Sequence, residues 1–140
     1  SAVIWMSLLV GFVLIQLVPY RVENPSVSQE PDWDRPQPRE LAQRACYDCH
    51  SNEVAVPWYG YVAPVSWLVQ HDVDEAREAL NFSEFDRPQD EADEAADEVE
   101  EGEMPPAYYT PLHPGAQLSA EERQQLIAGL EATMGRSGED

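Results

Sequence analysis

The amino-acid sequence predicts an all-α fold in which an apolar helix and a proline-rich tether precede a small helical domain. Apolar residues recur at helical spacing in residues 65–80, 92–99 and 126–134, and no segment shows a convincing β-strand pattern. The part of the 140-residue chain after about residue 37 is long enough for one modest domain. The predicted anchor helix, tether, folded domain and frayed tail are residues 1–18, 19–38, 39–135 and 136–140.

Residues 1–18 are predicted to be a transmembrane anchor helix. Between Ala2 and Val18 only Ser7 and Gln16 are clearly polar, and these 17 residues would span roughly 25 Å as a helix. That length is at the lower limit for a bilayer crossing. A cleaved signal-peptide core is the competing interpretation, but no convincing small-x-small cleavage site follows the apolar stretch.

Residues 19–38 are predicted to be a semi-rigid tether. Five prolines are interspersed there with polar residues, and the segment lacks apolar periodicity. Trp33 is the one residue of this segment that we expect to contact another surface.

Four helices are expected in the folded domain, and the first two surround the most specific motif of the chain. The residues from Glu40 to Ala45 suit a short helix that leads into this motif. A second helix is expected after Pro64, which is a good first-turn residue. The predicted buried stripe of this second helix is Val65, Leu68, Val69, Val73, Ala76 and Leu80.

The acidic stretch 89–103 and the C-terminal segment supply the other two helices. The acidic stretch keeps a small apolar face at helical spacing, and Gly102 is placed to end its helix. Ser119 and Glu122 form a capping-box pattern at the start of the last helix, and residues 135–140 are expected to fray. The predicted buried residues are Ala92, Ala95, Ala96 and Val99 in the acidic helix and Leu126, Ile127, Leu130 and Met134 in the last one.

The most specific motif is Cys46-Tyr-Asp-Cys49-His50, which uses both cysteines of the chain. A CxxCH motif is typical of covalent attachment of a c-type haem. Two thiols add across the haem vinyl groups to form thioethers, and the adjacent imidazole coordinates the iron. On a helical turn, spacings of three and four residues place these side chains on one face. The sequence therefore predicts one covalently held haem c, with His50 as an iron ligand.

Three other uses of the cysteines remain open at this point: a redox dithiol, a disulfide and half of a zinc site. A thioredoxin-like dithiol would be expected near a βαβ pattern, and a structural zinc site usually combines two paired clusters. Neither context is present in the sequence. Zinc bound by Cys46, Cys49 and two of His50, His71 and His113 is still arithmetically possible.

The second axial ligand of the iron decides what such a haem can do. Met104 is the favoured candidate, because the two prolines that follow it make a rigid loop that can present its thioether. His113 is a second candidate, since its loop is also bounded by prolines. His71 is a third candidate, although an exposed histidine explains it more simply. Met134 is interpreted as a core residue, and an open sixth position is the remaining alternative.

On these residues the chain resembles the bacterial haem-binding domain family, whose members are small single-haem c-type proteins often preceded by an N-terminal membrane helix. The resemblance implies a small cytochrome c-like haem domain in which Cys46 and Cys49 attach the haem and His50 is the proximal ligand. Met104 occupies the family's Gly-x-Met-Pro segment, and its ligand role is our own inference from the loop. The similar stretches are ACYDCHSNE (45–53), residues 57–85, EGEMPPAYYTPLHP (101–114) and LSAEER (118–123).

The charge composition of the chain limits the kinds of partner that it can bind. Eight arginines, no lysine and 27 acidic residues give a net charge of −19. Such a surface repels nucleic acid and would attract a basic redox protein. A salt-rich habitat would explain the same composition, and both explanations remain open.

Together these features predict a membrane-anchored monohaem c-type cytochrome that transfers single electrons, either free-standing or as a subunit of a respiratory or photosynthetic membrane complex. Because bacteria attach c-type haems on the outer side of the cytoplasmic membrane, the haem domain is expected in the periplasm. The alternatives are a haem-based sensor with an open sixth site and an accessory assembly subunit. The sequence holds no nucleophile triad, phosphate-binding glycine loop or HExxH motif, so enzyme chemistry is not predicted.

Overall fold

The computed structural model describes residues 1–138, and its regular secondary structure in this range is helical. The predicted all-α class is confirmed. Three short 3-10 turns and one isolated β-bridge, between Gln29 and Glu84, complete the described part of the chain. The α-helices of this part are α1 (Ala2–Ile15), α2 (Pro36–Ala45), α3 (Tyr47–His50), α4 (Val65–Ala79), α5 (Ala95–Glu101) and α6 (Ala120–Met134).

The predicted transmembrane anchor is wrong. Helix α1 ends at Ile15, and its 14 residues extend about 21 Å. No helix within residues 1–138 is long and apolar enough to cross a membrane. Just after the helix, the Gln16 side chain pairs with the backbone of Ala63: its amide nitrogen donates to the carbonyl (3.1 Å) and its oxygen accepts from the N–H (2.9 Å). Pro19, which has no N–H, prevents the helix from continuing.

The proline-rich segment lies along the helical domain instead of extending away from it as a tether. The backbone N–H groups of Ser28 and Gln29 donate to the carbonyl of Ser83 at 2.9 and 3.2 Å, and the N–H of Phe85 donates to the carbonyl of Gln29 at 2.9 Å. These bonds join two stretches of chain that are more than 50 residues apart. The segment is therefore an edge of the folded domain.

The hydrophobic core lies where α2 and α5 both pack against α6. Phe82, which is fully buried, stacks on Trp33 and Tyr47 with ring centroids 5.6 and 5.1 Å apart. Trp33 thus contacts the core of its own chain. The buried cluster is Leu41, Ala42, Tyr47, Leu80, Phe82, Ala96, Val99, Leu126, Ile127 and Leu130, with Met104 and Met134 packed against it.

Helix α4 begins and ends close to the predicted positions, but only Val73 and Leu80 of its predicted stripe are buried. Val73 is buried, whereas Val65 and Leu68 are 42% and 62% exposed. Ser66 and Gln70 face inward in their place. The amide nitrogen of buried Gln70 donates to Asp74 at 2.5 Å, whereas its side-chain oxygen has no hydrogen-bond partner within the described residues. Periodicity alone could not reveal this rotation of the buried face.

The predicted helix ends near the C-terminus are largely confirmed. Gly102 ends α5 in the left-handed conformation (φ 84°), and Ser119 and Glu122 form both bonds of the capping box of α6. The segment after α6 differs from the predicted frayed tail, because Arg136 forms ion pairs with Asp97 (2.6 Å) and Glu131 (2.5 Å). The end of the predicted tail, residues 139–140, lies outside the described residues.

Candidate functional site

The CxxCH motif lies on two short helical segments that meet at Cys46. Helix α2 ends at Ala45, and Cys46 leaves the helical conformation (φ −124°, ψ −37°) before α3 begins. The N–H of His50 donates to the carbonyl of Cys46 at 2.9 Å, so the motif forms one helical turn as predicted. Cys46, Cys49 and His50 all line the same cavity, and no disulfide joins the two cysteines.

This cavity has a volume of about 380 Å³ and lies between α3, α4, α5 and the loop after α5. Its size is within the usual range of small-molecule and cofactor sites. The small side chains of Ala76 and Ala79 on α4 leave room in one wall. Other apolar lining residues are Ala45, Leu80, Phe82, Ala95, Val99 and Leu130.

The ring of His50 is oriented by the C-terminal end of α4. Its Nδ1 atom lies 3.0 Å from the carbonyl oxygens of both Ala76 and Leu80. A carbonyl only accepts hydrogen bonds, so Nδ1 carries the proton and Nε2 keeps its lone pair. Burial lowers the pKa of His50, which favours the neutral ring. This is the arrangement in which an imidazole binds a metal through Nε2.

The surroundings of the two cysteines do not favour the thiolate form that a redox dithiol needs. Burial raises the pKa of Cys46 to about 12 and that of Cys49 to about 11. Reactive dithiols need a lowered pKa, because the thiolate is the reacting species. A zinc site built on the two cysteines would need histidine ligands besides His50. Neither His71 nor His113 lines the cavity, so this alternative is not supported. In residues 1–138 no group of three or more His, Cys, Asp or Glu side chains is arranged to hold a metal ion.

The residues at this site fit a haem. The wall is mainly apolar and has the size of a cofactor site. Two thiols lie on it three residues apart, as attachment to two vinyl groups requires. The adjacent imidazole has its Nδ1 proton bound by protein carbonyls and its Nε2 available for iron.

Met104 lines the same cavity as the CxxCH motif. Gly102 turns the chain out of α5, and the N–H of Met104 then donates to the carbonyl of Glu98 at 3.1 Å. Pro105 and Pro106 follow and also line the cavity. The glycine and the two prolines thus hold this short loop over the cavity, as the sequence predicts for the loop itself.

The other three candidates for an iron ligand lie elsewhere. His71 is exposed on α4 with its Nε2 3.5 Å from Glu75. Both ring nitrogens of His113 already have hydrogen-bond partners: Nδ1 lies 3.0 Å from the carbonyl oxygen of Tyr109, and Nε2 lies 3.3 Å from the hydroxyl of Tyr59. Met134 packs against the hydrophobic core and does not line the cavity.

Tyr109 is a residue of the site that the sequence did not single out. Its hydroxyl donates to Asp48, between the two cysteines, at 3.1 Å, and its ring stacks on His113 at 3.8 Å. Burial and the neighbouring Asp48 carboxylate raise the pKa of Tyr109. The contact joins the Met104 loop to the CxxCH turn across 61 residues, and no local pattern could have predicted it.

Comparisons with known proteins agree with a haem site. Residues 10–132 match the family described as haem-binding domain. The chain is also similar to the cytochrome c peroxidase Ccp of Escherichia coli (strain K12), at 27% identity over 98 residues. That alignment covers 64% of this chain and 21% of the other protein, so the chain spans about a fifth of that relative. No solved structure matches the chain.

Proposed function

We propose that this chain, which belongs to the haem-binding domain family, is a monohaem c-type cytochrome that passes single electrons between redox proteins. One observation carries the proposal: Cys46, Cys49, His50 and Met104 line a single cavity. In this proposal the two thiols would attach one haem, and His50 and Met104 would bind its iron.

In this proposal Cys46 and Cys49 attach the haem. Each thiol adds across one vinyl double bond: sulfur forms the thioether, and hydrogen goes to the neighbouring carbon. This addition requires no oxidant and releases no leaving group. The attached group supplies a one-electron ferric/ferrous couple. The side chains of the protein need only bind and orient the haem.

His50 and Met104 are the proposed axial ligands. His50 can bind through Nε2, because its Nδ1 proton is held by the carbonyls of Ala76 and Leu80. A methionine thioether in the sixth position raises the reduction potential and excludes small ligands. Such a site exchanges electrons without binding a substrate.

The test is an optical spectrum of the purified protein, oxidised and reduced, with and without carbon monoxide. Wild-type protein should give a c-type reduced spectrum, show the weak near-infrared sulfur-to-iron band and leave carbon monoxide unbound. Met104→Leu should lose the band and bind carbon monoxide. Met134→Leu is the matched control, since Met134 lies outside the cavity, and it should behave as wild type.

Two results would contradict the proposal in different ways. Carbon monoxide binding by the untreated reduced wild type, without the near-infrared band, would reject the pair of His50 and Met104. Haem that is extracted by acidic acetone would reject thioether bonds to Cys46 and Cys49.

A haem peroxidase or another ligand-binding haem protein is the second candidate. The similarity to part of the E. coli cytochrome c peroxidase favours it. Either activity needs an iron position that an external ligand can occupy, so Met104 could not be a permanent ligand. Consumption of hydrogen peroxide by wild-type protein, well above the rate of free haem and with a reducing substrate, would favour this candidate.

The proposed attachment chemistry also implies a location. Bacteria form these thioethers on the outer side of the cytoplasmic membrane, so we propose that the domain works in the periplasm with a redox protein as partner. Cell fractionation tests this: haem-loaded protein found in the cytoplasm would contradict it. Co-purification in mild detergent would identify other subunits if it acts within a complex.

A further inference from the structure

Negative charge is concentrated where the cavity opens. Six carboxylates line it, and no arginine does, although the chain carries eight. One of the six, Asp48, is occupied by hydrogen bonds from Tyr109 and from the N–H of Ala55. The other five form what we call the acidic rim: Asp72 and Glu75 on α4, and Glu91, Glu94 and Glu98 at and before α5.

The acidic rim is not neutralised by the protein itself. Within the described residues, four of its carboxylates form no ion pair, and Glu75 approaches only His71. The arginines contact groups outside the rim. Arg39, for example, forms an ion pair with Glu30 at 2.7 Å. Glu94 and Glu98 are four residues apart in the chain, and like charges at this spacing on a helix repel each other. A positively charged partner would relieve this repulsion.

Apolar side chains are exposed at the same opening. Tyr108 lines the cavity and is nevertheless 73% exposed. Leu68, which is 62% exposed, precedes Asp72 by one turn on the same face of α4. Exposed apolar and aromatic side chains beside charged ones are the usual composition of a protein interface.

We propose that Tyr108, Leu68 and the acidic rim form the docking surface for a one-electron redox protein that presents a lysine- or arginine-rich patch. This inference rests on the proposed electron transfer and adds the place and the charge of the contact. Docking there would bring the partner to the opening of the cavity that holds the CxxCH motif. The complementary charge would steer encounter and orient the complex, and its effect would fade as salt screens it.

The experiment compares two double variants with the same loss of charge. Asp72→Asn with Glu75→Gln removes two carboxylates of the acidic rim, while Glu40→Gln with Glu78→Gln removes two exposed carboxylates outside it. The probe is a lysine-rich monohaem cytochrome c. Stopped-flow spectroscopy follows electron transfer to it across ionic strength, and calorimetry with its redox-inert zinc form measures binding separately.

The rim variant should react about 3- to 10-fold more slowly than wild type at low ionic strength, and the difference should vanish in high salt. The control variant should change the rate much less. Equal losses in both variants, or a wild-type rate that does not depend on salt, would overturn the proposed surface. Binding that is weakened only in the rim variant, without electron transfer in wild type, would uphold the surface and reject the proposed function.

Discussion

The hydrogen bond between Tyr109 and Asp48 makes a sharp prediction about how the Met104 loop is held closed. Tyr109→Phe removes only the hydroxyl, which lies 3.1 Å from the carboxylate, and preserves the ring that stacks on His113. The perturbation therefore separates the hydrogen bond from the packing around it.

The expected cost follows from the surroundings of this bond. Hydrogen bonds to charged groups contribute about 1.5–3 kcal/mol to stability. Asp48 keeps a second donor after the change, the N–H of Ala55 at 3.0 Å, and is only partly buried. We therefore expect about 1.5 kcal/mol, the lower end of that range, which corresponds to a roughly tenfold higher population of the open loop.

Hydrogen exchange of the amides in residues 104–113 of the haem-loaded protein measures this opening directly. Carbon monoxide binding to the reduced protein gives a second measure, because an opened loop would release Met104. Tyr108→Phe is the matched control, since the hydroxyl of Tyr108 forms no hydrogen bond within the described residues and its side chain is exposed. If the two variants exchange at the same rate, the proposed role of the Tyr109 bond is refuted.

Three further predictions concern stability. Gly129→Ala should destabilise the protein by about 1–3 kcal/mol in urea unfolding, because the new methyl group would collide with the ring of Pro38 where α2 packs on α6. Hydrogen bonds from Asn52 and Arg87 lower the pKa of Glu84 in the folded state, so the unfolded state takes up the proton first as the pH falls. Wild type should therefore lose stability below about pH 4.3, and Glu84→Gln should reduce this loss. Protein prepared without haem should unfold at a lower temperature, because a group that is held only by the folded state stabilises that state.

Each of these predictions has its own control. Gly115→Ala adds a methyl group that meets no atom within 4 Å and should leave the unfolding free energy nearly unchanged. Glu40→Gln removes an exposed carboxylate and should keep the wild-type pH dependence. A haem-free protein with an unchanged circular dichroism melt would mean that the cavity does not depend on a bound group.

Local patterns were enough to predict much of the helical structure. The capping box of Ser119 and Glu122, and the end of α5 at Gly102, involve residues close together in the chain, so neighbouring side chains decide them. The contact of Gln16, at the end of α1, with Ala63 was not predictable in this way. The two residues are 47 positions apart, so no short window of sequence contains both.

The sequence by itself determined the chemistry of the candidate site, because the spacing of Cys46, Cys49 and His50 places them on one helical turn wherever that turn lies. Only the tertiary structure decided what shares the cavity with them. In the folded protein Met104 lines that cavity, whereas His71 and His113 lie outside it. Carboxylates from separate helices also line the cavity. Local hydrogen bonds act over a few residues and can be read along the chain, whereas a cavity forms only when distant segments pack together.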